Sequence, residues 1–336
     1  MPANVGEMFY TGEVPWHGLG LELAKPATME EALRAGGLNW EVGSVDLWTA
    51  EDPPSPAPKR KALVRLDRPP GHEGRVVGVA HRGFQPLQNR DGAMLFDAIF
   101  GQNRPVYHTG GYLGEGEVVW LLAQIDQTLK IGGDDIVKPY ALFANSHDGS
   151  IAFNISLTTV RVVCQNTLQI AMDQRGFGRQ FRRAHQGSFQ DHAEAAREFF
   201  SATMAQLDHV ASRFTALSEK RCDDEQFKEI VKTLLPRPQR PKNADKNPGL
   251  LKAWENRLAE VELARKRIGE LRGSGKGADL DTARGTFWGA LNAVLEFVDH
   301  HKEIKGSRVS YAVFGEGMEL KTKAFQLIQE MAAEAA

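Results

Sequence analysis

The feature that most constrains this chain is a change of hydrophobic period near residue 187. Before it, apolar residues alternate with polar ones over short stretches: Leu38–Trp48, Lys61–Asp67, Arg75–His81, Val106–Leu113, Glu117–Ile125, Tyr140–Asn145 and Ile151–Leu157. After it, they recur at helical spacing over Phe189–Ser218, Asp223–Leu235, Leu250–Leu271, Arg284–Lys302 and Glu319–Ala335. A period of two gives a sheet one apolar face, and a period of 3.6 gives a helix one apolar stripe. The expected fold is therefore α+β. Residues 1–187 form a mostly antiparallel sheet with packed helices, and residues 188–336 form a helical domain. Two polar stretches rich in Pro or Gly, near 236–249 and 272–283, read as mobile linkers. A chain of 336 residues is long enough for two domains.

Local signals place the first elements. Thr28 followed by Glu31 is a capping box, and Gly36-Gly37 ends the helix it begins. Four prolines in Glu51–Arg60 read as a surface loop that cannot continue a sheet. Asp91–Phe100 carries a helical stripe of Met94, Leu95, Ala98 and Ile99. Asp148-Gly149 is the turn of a hairpin. Val160–Met172 reads as a helix packed on the strands.

Several function classes are excluded or demoted. No apolar run reaches membrane-spanning length, and the first residues have neither a basic start nor an apolar core, so a soluble cytoplasmic protein with no signal peptide and no membrane partner is expected. Cys164 and Cys222 show no paired spacing, which demotes disulfide and zinc frameworks. Ser274-Gly275-Lys276-Gly277 fails as a phosphate loop, because Gly277 stands where Ser or Thr must hold magnesium. Gly110-Gly111 and Gly114-Glu115-Gly116 precede no helix and fit turns between strands, not a dinucleotide fingerprint. His300-His301 point about 100° apart on a helix, so they are no shared ligand pair. Asp134-Asp135 reads as a solvated turn. No metal site, cofactor or catalytic set is expected.

Net charge is −2, so any affinity for nucleic acid must come from local charge. From Gln174 to Gln190 there are four arginines and no acid, and from Arg237 to Arg272 ten Lys or Arg face five Asp or Glu. In the first segment, Arg175, Arg179, Arg182 and Arg183 can neutralise phosphates, Phe177 and Phe181 can stack on bases, and Gly176 and Gly178 let backbone approach a ligand. A hairpin with solvated arginines and core phenylalanines fits the same residues equally well. Arg161 starts the expected helix, with Gln165, Asn166 and Gln169 on nearby turns. These read either as a buried polar network or as a ligand-facing set.

Several blocks together resemble a known family: Trp16-His17-Gly18-Leu19-Gly20, FQPLQNRDGAMLFDAIF, IGGDDIVKPYALFANSHDGSIAF, TTVRVVCQNTL, GTFWGALNAVLEFVDHH and LKTKAFQLIQEM. In this order they are similar to the phage/plasmid-like proteins, domain of unknown function 932. VRVVCQNTL and WGALNAVLEFVDHH are the most specific blocks, and the Pro53–Pro58 loop and the Gly273–Gly277 linker depart from the pattern. The resemblance implies a mobile-element setting beside recombination genes, and brings no catalytic residues with it. Its element order is similar to that of ring-forming single-strand annealing proteins.

The expected function is single-stranded DNA binding and annealing in a phage or plasmid recombination system, without turnover and on a homo-oligomer. Arg161, Arg175, Arg179, Arg182 and Arg183 would contact phosphates, and Phe177 and Phe181 would stack. Two alternatives stand beside it. One is a metal- or nucleotide-dependent nucleic-acid enzyme using groups such as His147, Asp148 and Asn166. The other is a protein that blocks a host defence system through its helical half.

Overall fold

The computed structural model describes residues 5–12, 20–100, 105–133, 135–161, 167–169, 181–183, 194–195, 197–198, 201–202, 204–205, 207–304, 311 and 315–335, with residues 160, 161, 167–169 and 181–183 described by their backbone. The fold is α+β, as the change of period requires. Two compact units divide the chain. The first is Met1–Gln127, Pro139–Thr158 and Ile170–Gln206, and the second is Thr128–Lys138, Thr159–Gln169 and Leu207–Ala336.

In the first unit, the strands β1 (Val5–Thr11), β2 (Leu21–Leu23), β6 (Val106–Leu113) and β7 (Val118–Gln124) belong to a nine-stranded sheet. With β9 (Asp135–Ser146), β10 (Phe153–Arg161) and β11 (Thr167–Gln169), the sheet order is β11-β10-β9-β7-β6-β1-β2. The two remaining strands, β8 (Leu129–Gly132) and β12 (Phe181–Arg183), pair with β9 and β10 respectively. Apart from the parallel β1–β2 contact, the registered pairs are antiparallel. Gly110 and Gly111 lie inside β6, not in a turn. A Cβ at Gly111 would sit 2.2 Å from the Glu7 carbonyl oxygen, so the close approach of β1 requires glycine there.

Helix α1 (Met29–Ala35) starts where its capping box predicts, with Thr28 N donating to Glu31 Oε2 at 2.8 Å. Helix α2 (Asn89–Ile99) buries Gly92, Leu95, Phe96 and Ile99, a stripe rotated from the expected one, and leaves Met94 46% exposed. Its Phe96 ring meets Tyr107 at 5.8 Å and Phe143 at 6.0 Å, and Phe143 in turn meets Phe153 at 5.7 Å. This aromatic chain is the centre of the unit's core. Tyr107 donates to Asp97 Oδ1 at 2.5 Å, and burial together with that carboxylate pushes its phenol far above the usual range.

A second sheet has the order β3 (Val42–Trp48), β4 (Pro56–Arg65) and β5 (Val76–His81). The proline-rich stretch expected as loop to Arg60 instead enters β4 at Pro56. Pairing of β4 with β5 begins only at Arg60, so Pro56 and Pro58 fall where β4 has β3 alone as registered neighbour and their missing N–H groups are tolerated.

The second unit is mainly helical: α3 (Leu207–Glu219), α4 (Asp224–Leu234), α5 (Pro248–Ser274), α6 (Phe287–Glu296) and α7 (Glu316–Glu334). Beyond residue 207 the described residues contain no strand, and Arg221 and Thr286 form an isolated bridge. Every residue of α6 is buried, which is why its sequence is apolar on all sides. Phe214 of α3 stacks 4.9 Å from Trp288 of α6 and 5.8 Å from Phe325 of α7. The stretch expected as a linker near 236–249 holds a 3₁₀ turn, Ala244–Lys246, and Trp254 Nε1 donates to Pro238 O at 3.0 Å. Helix α5 runs to Ser274, into the second expected linker.

One expected element is overturned. Of Val160–Met172, expected as a helix, the described residues are strand: β10 extends to Arg161 and β11 occupies Thr167–Gln169. The run Thr158-Thr159-Val160 is β-branched, and side chains of that shape fit a pleated surface better than a helix.

Candidate nucleic-acid interface

Strand β12 fixes one end of the basic segment. It pairs antiparallel with β10 in the register Phe153–Arg183, Asn154–Arg182 and Ile155–Phe181. Phe153 and Ile155 are buried, and Asn154, between them, points to the opposite face of the pleat. Asn154 Oδ1 and Ser156 Oγ, two residues apart on that face, are buried and have no hydrogen-bond partner among the described residues. Buried polar atoms of that kind are uncommon and cost stability where they stay unmet. The strand that carries β12 thus has an apolar face and a polar face with unmet hydrogen-bonding capacity.

Of the expected site residues, Phe181, Arg182 and Arg183 lie on β12, and Arg161 is the last residue of β10. Arg175, Phe177 and Arg179 lie outside the described residues, as do Cys164, Gln165 and Asn166. Arg161 ends a strand; it does not open the expected helix.

The second basic stretch is partly ion-paired. Arg237 and Arg265 pair with Glu262, Arg240 with Asp245, Lys266 and Arg267 with Glu270, and Arg272 with Asp224. These six cations share four carboxylates, so pairing reduces the positive excess from Arg237 to Arg272 without removing it.

Of the polar groups named for an enzymatic alternative, Asn166 lies outside the described residues, and His147 and Asp148 have these surroundings. His147 is fully buried: its Nε2 is 2.9 Å from Asn89 Oδ1 and its ring packs edge-on against Trp40 at 5.3 Å. Asp148 closes its own turn, accepting from Ser150 N at 2.8 Å. Beside them, Arg65 donates to both oxygens of Asp67 and lies 4.2 Å above the Trp40 ring. That hydrogen bond from Arg65 holds the Asp67 carboxyl below the usual carboxylate range. This is an internal network that organises the loops beside β4, with each charge matched by a partner.

Two further readings of the sequence change. Asp135, expected as a solvated turn, is 1% exposed, and its Oδ2 accepts from Thr282 Oγ1 at 2.7 Å and Trp288 Nε1 at 2.8 Å. The Ser274–Gly277 stretch offers its amide to a carboxylate, since Lys276 N donates to Glu296 Oε2 at 3.0 Å. His301 belongs to a π-helical turn, Phe297–His301, and its Nε2 lies 3.6 Å from Glu296 Oε1. Among the described residues no group of three or more His, Cys, Asp or Glu is arranged to hold a metal ion. None of the described helices is long and apolar enough to cross a membrane.

No curated protein and no solved structure matches the chain. A family model does, over residues 76–326, from the first residue of β5 into α7, and takes in both α6 and the strands β6–β12. The chain therefore belongs to the family described as domain of unknown function 932.

Proposed function

We propose that this protein binds single-stranded DNA and promotes annealing, without enzymatic turnover, as an oligomer in a phage or plasmid recombination system. The observation that carries this reading is the register of β12 on β10. A segment with four arginines and no acid between Gln174 and Gln190 is tied through Phe181–Arg183 to a strand of the large sheet. Anchored backbone lowers the entropic cost of presenting cations to a phosphate chain. Arginine interleaved with phenylalanine suits a single strand, whose bases are free to stack while its phosphates are neutralised.

Fluorescence anisotropy with labelled single-stranded and double-stranded oligonucleotides across a range of salt tests it. The single strand should bind more tightly, with affinity falling steeply as salt rises. Replacing Arg182 and Arg183 together with alanine should flatten the slope of log K against log salt by about 1.4, at roughly 0.7 per phosphate contact. Absent binding, or binding insensitive to salt, overturns the reading.

A further inference from the structure

The first unit holds a cleft of about 490 Å³ that the basic segment does not account for. One wall is the β4–β5 ladder, with Arg60, Val79 and His81, and continues to Phe84; the other is the β9–β10 turn, with Asp148 and Ile151. The volume falls within the roughly 300–1,000 Å³ of small-ligand sites. Gly78, beside the lining residue Val79, lets the two walls approach, since a Cβ there would lie 2.5 Å from Asp148 Cα.

The donors on the strand wall are adjacent by register. Arg60 stands directly across from His81, which puts both side chains on the same face of the ladder. Arg60 is exposed and, among the described residues, makes no ion pair or side-chain hydrogen bond. His81 Nδ1 accepts from Gly83 N at 3.1 Å, so the ring's proton is on Nε2 and that nitrogen is a donor. A guanidinium and an imidazole N–H side by side form an anion-binding pair. Phe84 and Ile151 add apolar surface of the kind on which a base is held. The Asp148 carboxylate is the one acid lining the cleft, and one of its oxygens already accepts from Ser150 N. It repels a phosphate from the turn wall and so favours the Arg60 side.

We propose that this cleft is a second contact for the same single strand: one phosphate on Arg60 and His81, and the adjoining base against Phe84. It rests on the single-stranded DNA reading and extends the ligand's path away from β12. Residue 60 precedes the family-matched region, whereas His81, Phe84 and Asp148 lie inside it.

Four proteins decide it: wild type, Arg60→Ala, Arg60→Glu and the Arg182→Ala/Arg183→Ala double variant, each titrated against a labelled oligothymidine. Arg60→Ala should weaken binding about threefold to tenfold and flatten the salt slope by about 0.7, with the melting temperature unchanged because the side chain has no partner to lose. Arg60→Glu should weaken it further. Photo-crosslinking with 5-iododeoxyuridine in the strand should label the peptide holding Phe84. If the arginine double variant is impaired while Arg60→Ala and Arg60→Glu bind as wild type does, the cleft assignment is overturned and the DNA reading stands. If wild type binds no oligothymidine, both fall. If free thymidine monophosphate competes as well as the strand, the cleft is a mononucleotide site and the assignment to a strand is overturned.

Discussion

Lys321 Nζ and Asp299 Oδ1 form an ion pair at 2.7 Å with side chains only 2% and 6% exposed, inside the helical unit. The π-helical turn Phe297–His301 carries Asp299, and α7 carries Lys321. Two charges withdrawn from water attract strongly, yet their desolvation offsets most of that gain. Removing one partner is a different matter, since the other stays buried and loses this ion pair. Lys321→Met should therefore destabilise the protein by about 3–5 kcal/mol, and Asp299→Leu by a similar amount. The double replacement should cost much less than the sum. Chemical denaturation of all four proteins checks this, and simple additivity would show that the pair is not coupled.

Asp135 is a second buried acid of the helical unit. Its Oδ2 accepts from Trp288 Nε1 and Thr282 Oγ1, and hydrogen bonds to a charged group are worth about 1.5–3 kcal/mol each where they are buried. Asp135→Ala should remove the bonds from Trp288 Nε1 and Thr282 Oγ1, lower stability by about 2–4 kcal/mol, and shift tryptophan emission. Thr282→Val should lose a smaller share, since the indole bond remains. Equal stability of Asp135→Ala and wild type would remove the carboxylate from the account of the helical core.

These cases show which parts of the fold were legible in the residues. Alternation and helical spacing disclosed β3, β5–β7, β9, α4, α5 and α7 through their apolar faces, a capping box disclosed α1, and α6, buried on all sides, showed as a nearly continuous apolar run. Val160–Met172 misled because a short apolar run satisfies both periods, and its β-branched residues were the better guide. The fate of Asp135 is set by residues 147 and 153 positions away in the chain, which no local pattern encodes. The basic segment stood out by composition alone, whereas Arg60 and His81 are neighbours only through the β4–β5 register. That register was hidden by the prolines at the start of β4, which read as loop.

Cys222 supplies a chemical prediction. Burial pushes its thiol up to about 11, against a usual value of 9.0, although nearby Arg272 pulls the other way. A thiol raised on folding contributes stability that is complete below the unfolded value and is lost as pH rises through the folded one. Stability should therefore decline between about pH 9 and pH 11, and Cys222→Ala should flatten that part of the profile. At neutral pH the native thiol should react with a disulfide reagent far more slowly than the denatured chain does. Rapid labelling of native protein at Cys222 would contradict the burial that causes the shift.

The last prediction separates binding from folding at β12. Phe181 stands opposite Ile155, which is 1% exposed, so its register position borders the core while its composition suits base stacking. The two roles differ in what truncation removes. Stacking is not an ionic interaction, so Phe181→Ala should weaken single-strand binding by about 1–3 kcal/mol and leave the salt slope unchanged. The arginine double variant should show the reverse pattern, a flatter slope with little effect on stability. A core phenylalanine would instead lose about 3–5 kcal/mol of folding stability on truncation, because it leaves a cavity. Melting temperature measured beside affinity therefore distinguishes them. A large drop in melting temperature, together with an unaltered salt slope in the arginine double variant, would remove β12 from the DNA interface and leave it as an edge of the sheet.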